Sequence, residues 1–366
     1  MKRILTVVIL IFILSTPACA DVYSDQYDAS GAEKLYESLP DSTQEIYDRL
    51  GLDPSDSDWV NKINTGNVFS LIKEFISSGG RTPLLTGAAL IALILIISAF
   101  TLFCENDQSK LPVSYIAALS VSAVALVPVF AVISSAARSI KAGAQFMLSF
   151  VPIYGTVLFA SGKPVTSAAS GTLLLAASEG LVQLSSYVIT PLVGSYMALC
   201  LCGSVSPVIN SAGLSELIKK SANWIIGLIS TVYLGVLSFQ TTVNSAADNL
   251  AVRTGKFLVG SFIPVVGGAV SEAITTVQSC VSMLRATVGI YGALSLALIL
   301  LPVIIELILW RMTLLVCASA SSVFEIEHIG SVLRAADAAV SFLLGIMLLC
   351  GLAFIISITV ITTAGG

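Results

Sequence analysis

TPLLTGAALIALILIISAFTLFC, Thr82 to Cys104, runs for 23 residues without a charge. A helix rises 1.5 Å per residue, so this stretch spans about 35 Å, enough to cross a hydrocarbon core of about 30 Å. The reading of this stretch decides the fold. Only a helix satisfies its own backbone hydrogen bonds in lipid within a single segment.

Similar stretches follow along the chain. Leu111 to Ala137 is uncharged and of spanning length. Gln145 to Gly162 is uncharged but carries Pro152 and Gly155, which should break it. Val165 to Gly213 holds one charge, Glu179, and room for one or two spans interrupted at Pro191. Trp224 to Ala247 spans, Phe257 to Ser271 is short and carries Pro264, Gly267 and Gly268, and Ala286 to Trp310 spans with Glu306 inside. Arg311 to Val323 is apolar but short, and Ala338 to Thr362 is the last span. The pattern predicts five spans, starting at residues 82, 111, 224, 286 and 338, with one or two more in 165–213. Basic residues flank many of the loops, so the positive-inside rule gives no clear orientation.

Composition agrees. Apolar residues make up 56% of the 366 and charged residues 11%, against about 25% charged in a soluble domain. The mean hydropathy is +0.94. There is too little charge to coat a water-soluble surface of this size. A soluble enzyme is therefore excluded as a reading.

The N-terminus reads as a secretory signal. Lys2 and Arg3 precede an apolar core, Ile4 to Leu14, and Pro17-Ala18-Cys19-Ala20 offers small residues for cleavage before Asp21. The core is short for a span, which favours a cleaved signal over an uncleaved anchor. Residues 21–80 form the one water-like segment, with 12 acidic and 4 basic residues. Apolar positions at helical spacing (Leu35, Tyr36, Leu39, then Ile46, Tyr47, Leu50) predict a short helical hairpin there. Val68 to Ile76 is amphipathic and is expected on the membrane surface. Behind a signal sequence this acidic segment lies outside the cytoplasm.

The chain also contains an internal duplication. Ser149-Phe150-Val151-Pro152-Ile153-Tyr154-Gly155 matches Ser261-Phe262-Ile263-Pro264-Val265-Val266-Gly267 at an offset of 112 residues. The match extends back to Lys141 and Gly143, opposite Arg253 and Gly255. The expected organisation is a signal peptide (1–20), an acidic extracytoplasmic segment (21–80), a first transmembrane helix and loop (81–110), two membrane repeats (111–222 and 223–337) and a final helix (338–366). The fold class is an all-α polytopic bundle with two Pro/Gly-broken hairpins. Proline removes a helix hydrogen bond and glycine loosens the backbone. Paired broken segments point to a transporter-like site, or to hairpins used only for packing. Pro152, Gly155, Pro264 and Gly267 are thus candidate conduit or hinge residues.

Intramembrane charges join that set because they are costly in lipid. Glu179 and Glu306 are candidates for a proton or cation relay, and snorkelling at an interface is the blander alternative. Glu272 and Arg285 read as the boundaries of a helical stretch, Ala273 to Leu284. His328 is the single histidine and is expected in a solvated loop after Glu325 and Glu327. One histidine and seven scattered cysteines, with no CxxC pair, offer no metal site. There is no GxxxxGK[ST] loop and no catalytic triad, so neither enzymatic activity nor a cofactor is expected.

NSAADNLAVRTGKFLVGSFIPVVGGAVSEA, Asn244 to Ala273, resembles the core of the stage III sporulation protein AE family, and Ile358 to Gly365 (ITVITTAG) resembles that family's C-terminus. The similarity covers roughly residues 80–366. The resemblance implies a multi-pass membrane protein of the mother cell, placed in the membrane around the engulfed forespore. It implies partners encoded in the same operon, among them ring-forming proteins and an ATPase, and a forespore membrane protein opposite. Such a complex would form a secretion-like channel needed for late forespore development. The resemblance carries over no catalytic residues. A stand-alone secondary transporter and a non-conducting scaffold remain as alternatives.

Overall fold

The computed structural model describes residues 27–56, 59–63, 65–102, 107–161, 190–205, 267–324 and 326–364, with scattered helical positions in 167–187 and 213–235. The signal segment 1–20, Pro264 and most of the residues quoted for the second SFxPxxG copy lie outside that set. Among the described residues every regular element is helical.

Two short helices, α1 (Lys34–Glu37) and α2 (Asp41–Leu50), form the predicted hairpin. Pro40 precedes α2 in an extended conformation, and Gly51 ends it in the left-handed region with φ 62°. Glycine adopts that conformation without the Cβ penalty other residues meet. Thr43, Ile46 and Tyr47 form the buried face of α2. A 3-10 turn, Trp59–Lys62, leads into α3 (Thr65–Leu102).

The bundle consists of α3, α4 (Asp107–Ala160), α5 (Thr190–Val205), α6 (Gly267–Val323) and α7 (Glu327–Ala364). Four of these helices are long and apolar enough to cross a membrane, over Gly66–Thr101, Ile116–Ala160, Ser282–Val323 and His328–Thr359. These overlap the spans expected from 82, 111, 286 and 338. The stretch expected from 224 is helical where it is described.

Helix α6 packs most extensively on α7, as an antiparallel hairpin that turns after Val323. Arg311 Nε pairs with Asp337 Oδ1 at 3.1 Å near the turn. Further along, Gly351 of α7 meets Leu300 of α6. Helix α4 lies against both, with Gly143 facing Leu296 and Leu300 of α6 and Phe354 of α7. Helix α3 approaches α6 through Gly79, Gly80 and Gly87, opposite Glu306, Leu309 and Thr313. Small residues allow this closeness, which dispersion rewards in lipid, where the hydrophobic effect gives no drive between helices.

The structure corrects several expectations. Val68–Ile76 is not a separate surface helix; it continues through Pro83 into the membrane-spanning part of α3. The segment around Pro152 and Gly155 is not a broken hairpin. Helix α4 runs unbroken from Asp107 to Ala160. The reason is visible on its buried face. Phe146, Phe150 and Tyr154 stack in series at 5.8 and 5.3 Å, all packed inside. That burial, about 2 kcal/mol for a large apolar side chain, opposes the roughly 3 kcal/mol a helix-interior proline costs. Arg311–Val323 is no separate short segment but the C-terminal end of α6. Glu272 and Arg285 lie within α6 rather than at helix boundaries, because the helix starts at Gly267. His328 sits in the first turn of α7, half-buried, not in a loop.

The N-terminal hairpin docks on the bundle through aromatic contacts. Tyr47 packs against Tyr291 of α6 with ring centroids 5.1 Å apart, and Trp59 meets the same ring edge-on at 6.1 Å. The Tyr47 hydroxyl lies 2.9 Å from Ser295 Oγ. Burial pushes the Tyr47 phenol well above its ordinary value, and the Ser295 hydrogen bond offsets this in part. On the outer side, Arg49 pairs with Glu74 of α3 at 2.7 Å, and Thr156 of α4 donates to the Ser30 carbonyl at 3.2 Å.

Candidate functional site

Helix α4 carries polar residues inside an apolar run. Lys141, Gln145 and Leu148 follow one another at helical spacing along one stripe, beside Ala144. The opposite face of the same turns, with Ile140, Phe146 and Met147, is buried. The polar stripe is therefore left over once the core is packed. Glu179, Gln183 and Tyr187 repeat the pattern four residues apart, at positions that are themselves helical.

The two stripes line one open-sided pocket of about 330 Å³, in which Lys141, Gln145, Leu148, Glu179, Gln183 and Tyr187 are exposed and only Ala144 is buried. Gln183 Nε2 donates to Glu179 Oε1 at 2.8 Å, which fixes the carboxylate and leaves its other oxygen for the cavity. Lys141 supplies the cation of the site and Glu179 the anion. No salt bridge joins these two among the described residues. The cavity thus presents separated charges of both signs, two side-chain amides and a phenol. Such groups bind and orient polar solutes. Among the described residues no three His, Cys, Asp or Glu side chains gather to hold a metal ion.

The other expected site residues do not converge on this cavity. Glu306 stands on the α6 face that meets α3, half-buried, 3.8 Å from where a Cβ on Gly79 would lie. Pro152 is exposed on α4, about three turns beyond Lys141. The Gly155 carbonyl accepts a hydrogen bond from Ser167 Oγ at 2.7 Å. Gly267 begins α6, and Pro264 lies outside the described residues. Lys141, Gln145, Gln183 and Tyr187 were not named as site residues from the sequence, Lys141 entering only through the repeat. Their signal was the four-residue recurrence of polar side chains in otherwise apolar stretches.

These features define a multi-pass α-helical membrane protein with a polar cavity between helices and a docked N-terminal hairpin. Residues 60–365 match the family model for stage III sporulation protein AE, and the chain belongs to that family. It is similar to "Stage III sporulation protein AE" of Bacillus subtilis (strain 168), with 25% identity over 292 residues, covering 77% of this chain and 72% of the relative. No solved structure matches. Family membership gives the protein a role in sporulation.

Proposed function

We propose that the chain is a non-enzymatic membrane subunit of a secretion-like channel complex linking mother cell and forespore, required for late forespore development. It sits in the mother-cell membrane around the engulfed forespore. Its partners are products of the same sporulation operon, including ring-forming proteins and an ATPase, and a forespore membrane protein opposite. The observation that carries this reading, beside the family match, is helix length. The four apolar helices run for 32 to 45 residues, or about 48 to 68 Å, against a hydrocarbon core of about 30 Å. Untilted, they extend well past the bilayer and offer surface to other subunits.

A pull-down of tagged protein from sporulating cells in mild detergent, with mass spectrometry of what co-purifies, tests this. Recovery of ring, ATPase and forespore-membrane partners is expected. Recovery of the chain alone, while a control subunit keeps its partners, would sink it.

The polar cavity favours a second reading, a secondary transporter acting alone. That reading requires solute flux across vesicles containing only this chain.

A further inference from the structure

We infer that a pocket on the N-terminal hairpin, walled by tyrosines and rimmed by four carboxylates, binds an organic cation through its ammonium or guanidinium group. The inference concerns this chain's own hairpin, so it stands or falls separately from membership in a complex.

The pocket has a closed floor and an open mouth. It holds about 630 Å³, within the range of about 300 to 1,000 Å³ for ligand sites. Tyr27, Tyr47, Leu52 and Pro54 close the floor and are buried. Tyr36 is half-buried and is the ring that shows a face. Asp28, Glu33, Asp48 and Asp53 stand exposed at the mouth.

The hydrogen bonds decide the class of ligand. Every side-chain donor on the lining is already used. The Tyr36 hydroxyl donates to Asp48 Oδ1 at 2.6 Å, and the Tyr27 hydroxyl donates to the Ala32 carbonyl at 3.3 Å. The Tyr47 hydroxyl pairs with Ser295 Oγ at 2.9 Å, and Ser55 Oγ donates to Asp53 Oδ1 at 2.7 Å. No basic residue lines the pocket. What remains is acceptors. None of the four carboxylates forms a salt bridge among the described residues. Behind the floor, the Tyr291 hydroxyl is buried without a hydrogen-bond partner and lies in electrostatic range of Tyr27, Tyr36 and Tyr47. Buried polar groups are nearly always bonded, so this oxygen is one more acceptor in want of a donor.

An anion would meet four like charges here, and a neutral acceptor would find no side-chain donor. A cation with several N–H groups matches the rim, whose negative field raises its local concentration. The face of Tyr36 attracts the same charge. Among the described residues no three His, Cys, Asp or Glu side chains gather tightly enough to hold a metal ion. Carboxylates spread around a mouth of this size suit an extended organic cation instead. Tyr47 links the pocket to the bundle, because its ring also packs on Tyr291 of α6. An occupied pocket therefore holds the hairpin down.

The test uses the full chain in lipid nanodiscs at about 0.15 M salt, which screens exposed charges more than about 8 Å apart. Spermidine and the capped tripeptides Gly-Arg-Gly and Gly-Lys-Gly are titrated by calorimetry, with the neutral Gly-citrulline-Gly as reference. Saturable binding of at least one cation is expected, with the citrulline peptide at least tenfold weaker than the arginine one if that is the binder. Spermidine alone would identify a free polyamine as the source of the group. The peptides alone would identify a basic protein segment. Asp28→Asn with Glu33→Gln should weaken the best binder at least tenfold. Glu37→Gln with Glu45→Gln, an equal change of charge on the same hairpin outside the pocket, should leave it unchanged. Tyr36→Leu should cost about threefold, and Tyr36→Phe, which keeps the ring, should not. Bound cation should also slow hydrogen exchange across residues 34–63, and the same exchange shows whether each variant keeps its hairpin folded. No saturation by any of the three cations on a folded hairpin overturns the inference. So does equal weakening by the two double variants, which would mean diffuse attraction, or a citrulline peptide that matches the arginine one.

Discussion

The ring of Phe150 occupies the space where a side chain on Gly292 would begin: a Cβ built on Gly292 lies 2.6 Å from Phe150 Cζ and 2.9 Å from Cδ2. Helices α4 and α6 therefore meet with ring on backbone. Phe150 is also the middle member of the Phe146–Phe150–Tyr154 stack, so it cannot swing aside without disturbing both neighbours.

Gly292→Ala should cost about 2 kcal/mol, in the range for overpacking a filled core. Thermal unfolding in detergent would show it. Phe150→Leu in the same chain should return part of the loss. Gly345→Ala, with nothing within 4 Å of its added methyl, is the control and should change stability little. Equal effects at Gly292 and Gly345 would contradict the packing described.

The Arg311–Asp337 pair is the most sheltered salt bridge among those described, with side chains 33% and 15% exposed. Asp337→Ala strands the guanidinium and should cost about 3 kcal/mol. The double change Arg311→Met with Asp337→Leu removes both charges and should be less harmful than the single one. A double variant worse than Asp337→Ala would argue that the pair contributes more than mutual neutralisation.

Tyr47→Phe removes the hydrogen bond to Ser295 but keeps the ring on Tyr291. A loss of about 1 kcal/mol in docking of the N-terminal hairpin is expected. Trp59→Ala removes a fully buried ring and should cost about 3 kcal/mol or more. Hydrogen exchange across residues 34–63 reads both. Glu74→Gln breaks only the exposed Arg49 pair and should hardly register.

The hairpin should hold through neutral pH and release in alkali. Tyr36 donates to Asp48 Oδ1 at 2.6 Å, and this bond to the neutral phenol raises its pKa above the ordinary 10.0. Burial raises Tyr47 as well. Groups raised on folding contribute stability that is complete below the unfolded value and lost as pH climbs through the folded one. Proteolysis of the hairpin, followed against pH with tyrosinate absorbance, should therefore accelerate only above about pH 10. Acceleration between pH 7 and 9 (roughly, on the same scale) would show that other groups govern docking.

The membrane helices were legible because lack of charge over spanning length has one physical outcome in lipid. Their continuity was not. Pro152 read locally as a break, yet α4 runs through it, and Val68–Ile76 read as a surface stretch apart from the span that α3 in fact joins to it. In α4 the deciding factor is the Phe146–Phe150–Tyr154 stack against α6, a contact between residues far apart in sequence. Glu179 stood out as a charge in an apolar stretch. Lys141 read as a basic residue flanking a span and as the start of the repeat match, not as a site residue, because the fold alone brings it beside Glu179 in one pocket.

Helix α3 joins the start of the bundle to its membrane-spanning part in one unbroken piece, Thr65–Leu102. Its first half is tied to the N-terminal hairpin through Glu74 and Arg49, and its second half is pressed onto α6 at Gly87. Such a rod transmits force. A partner pulling on the hairpin would tilt α3 as a lever rather than stretch a tether, and would pull on α6 directly through Tyr47 and Trp59.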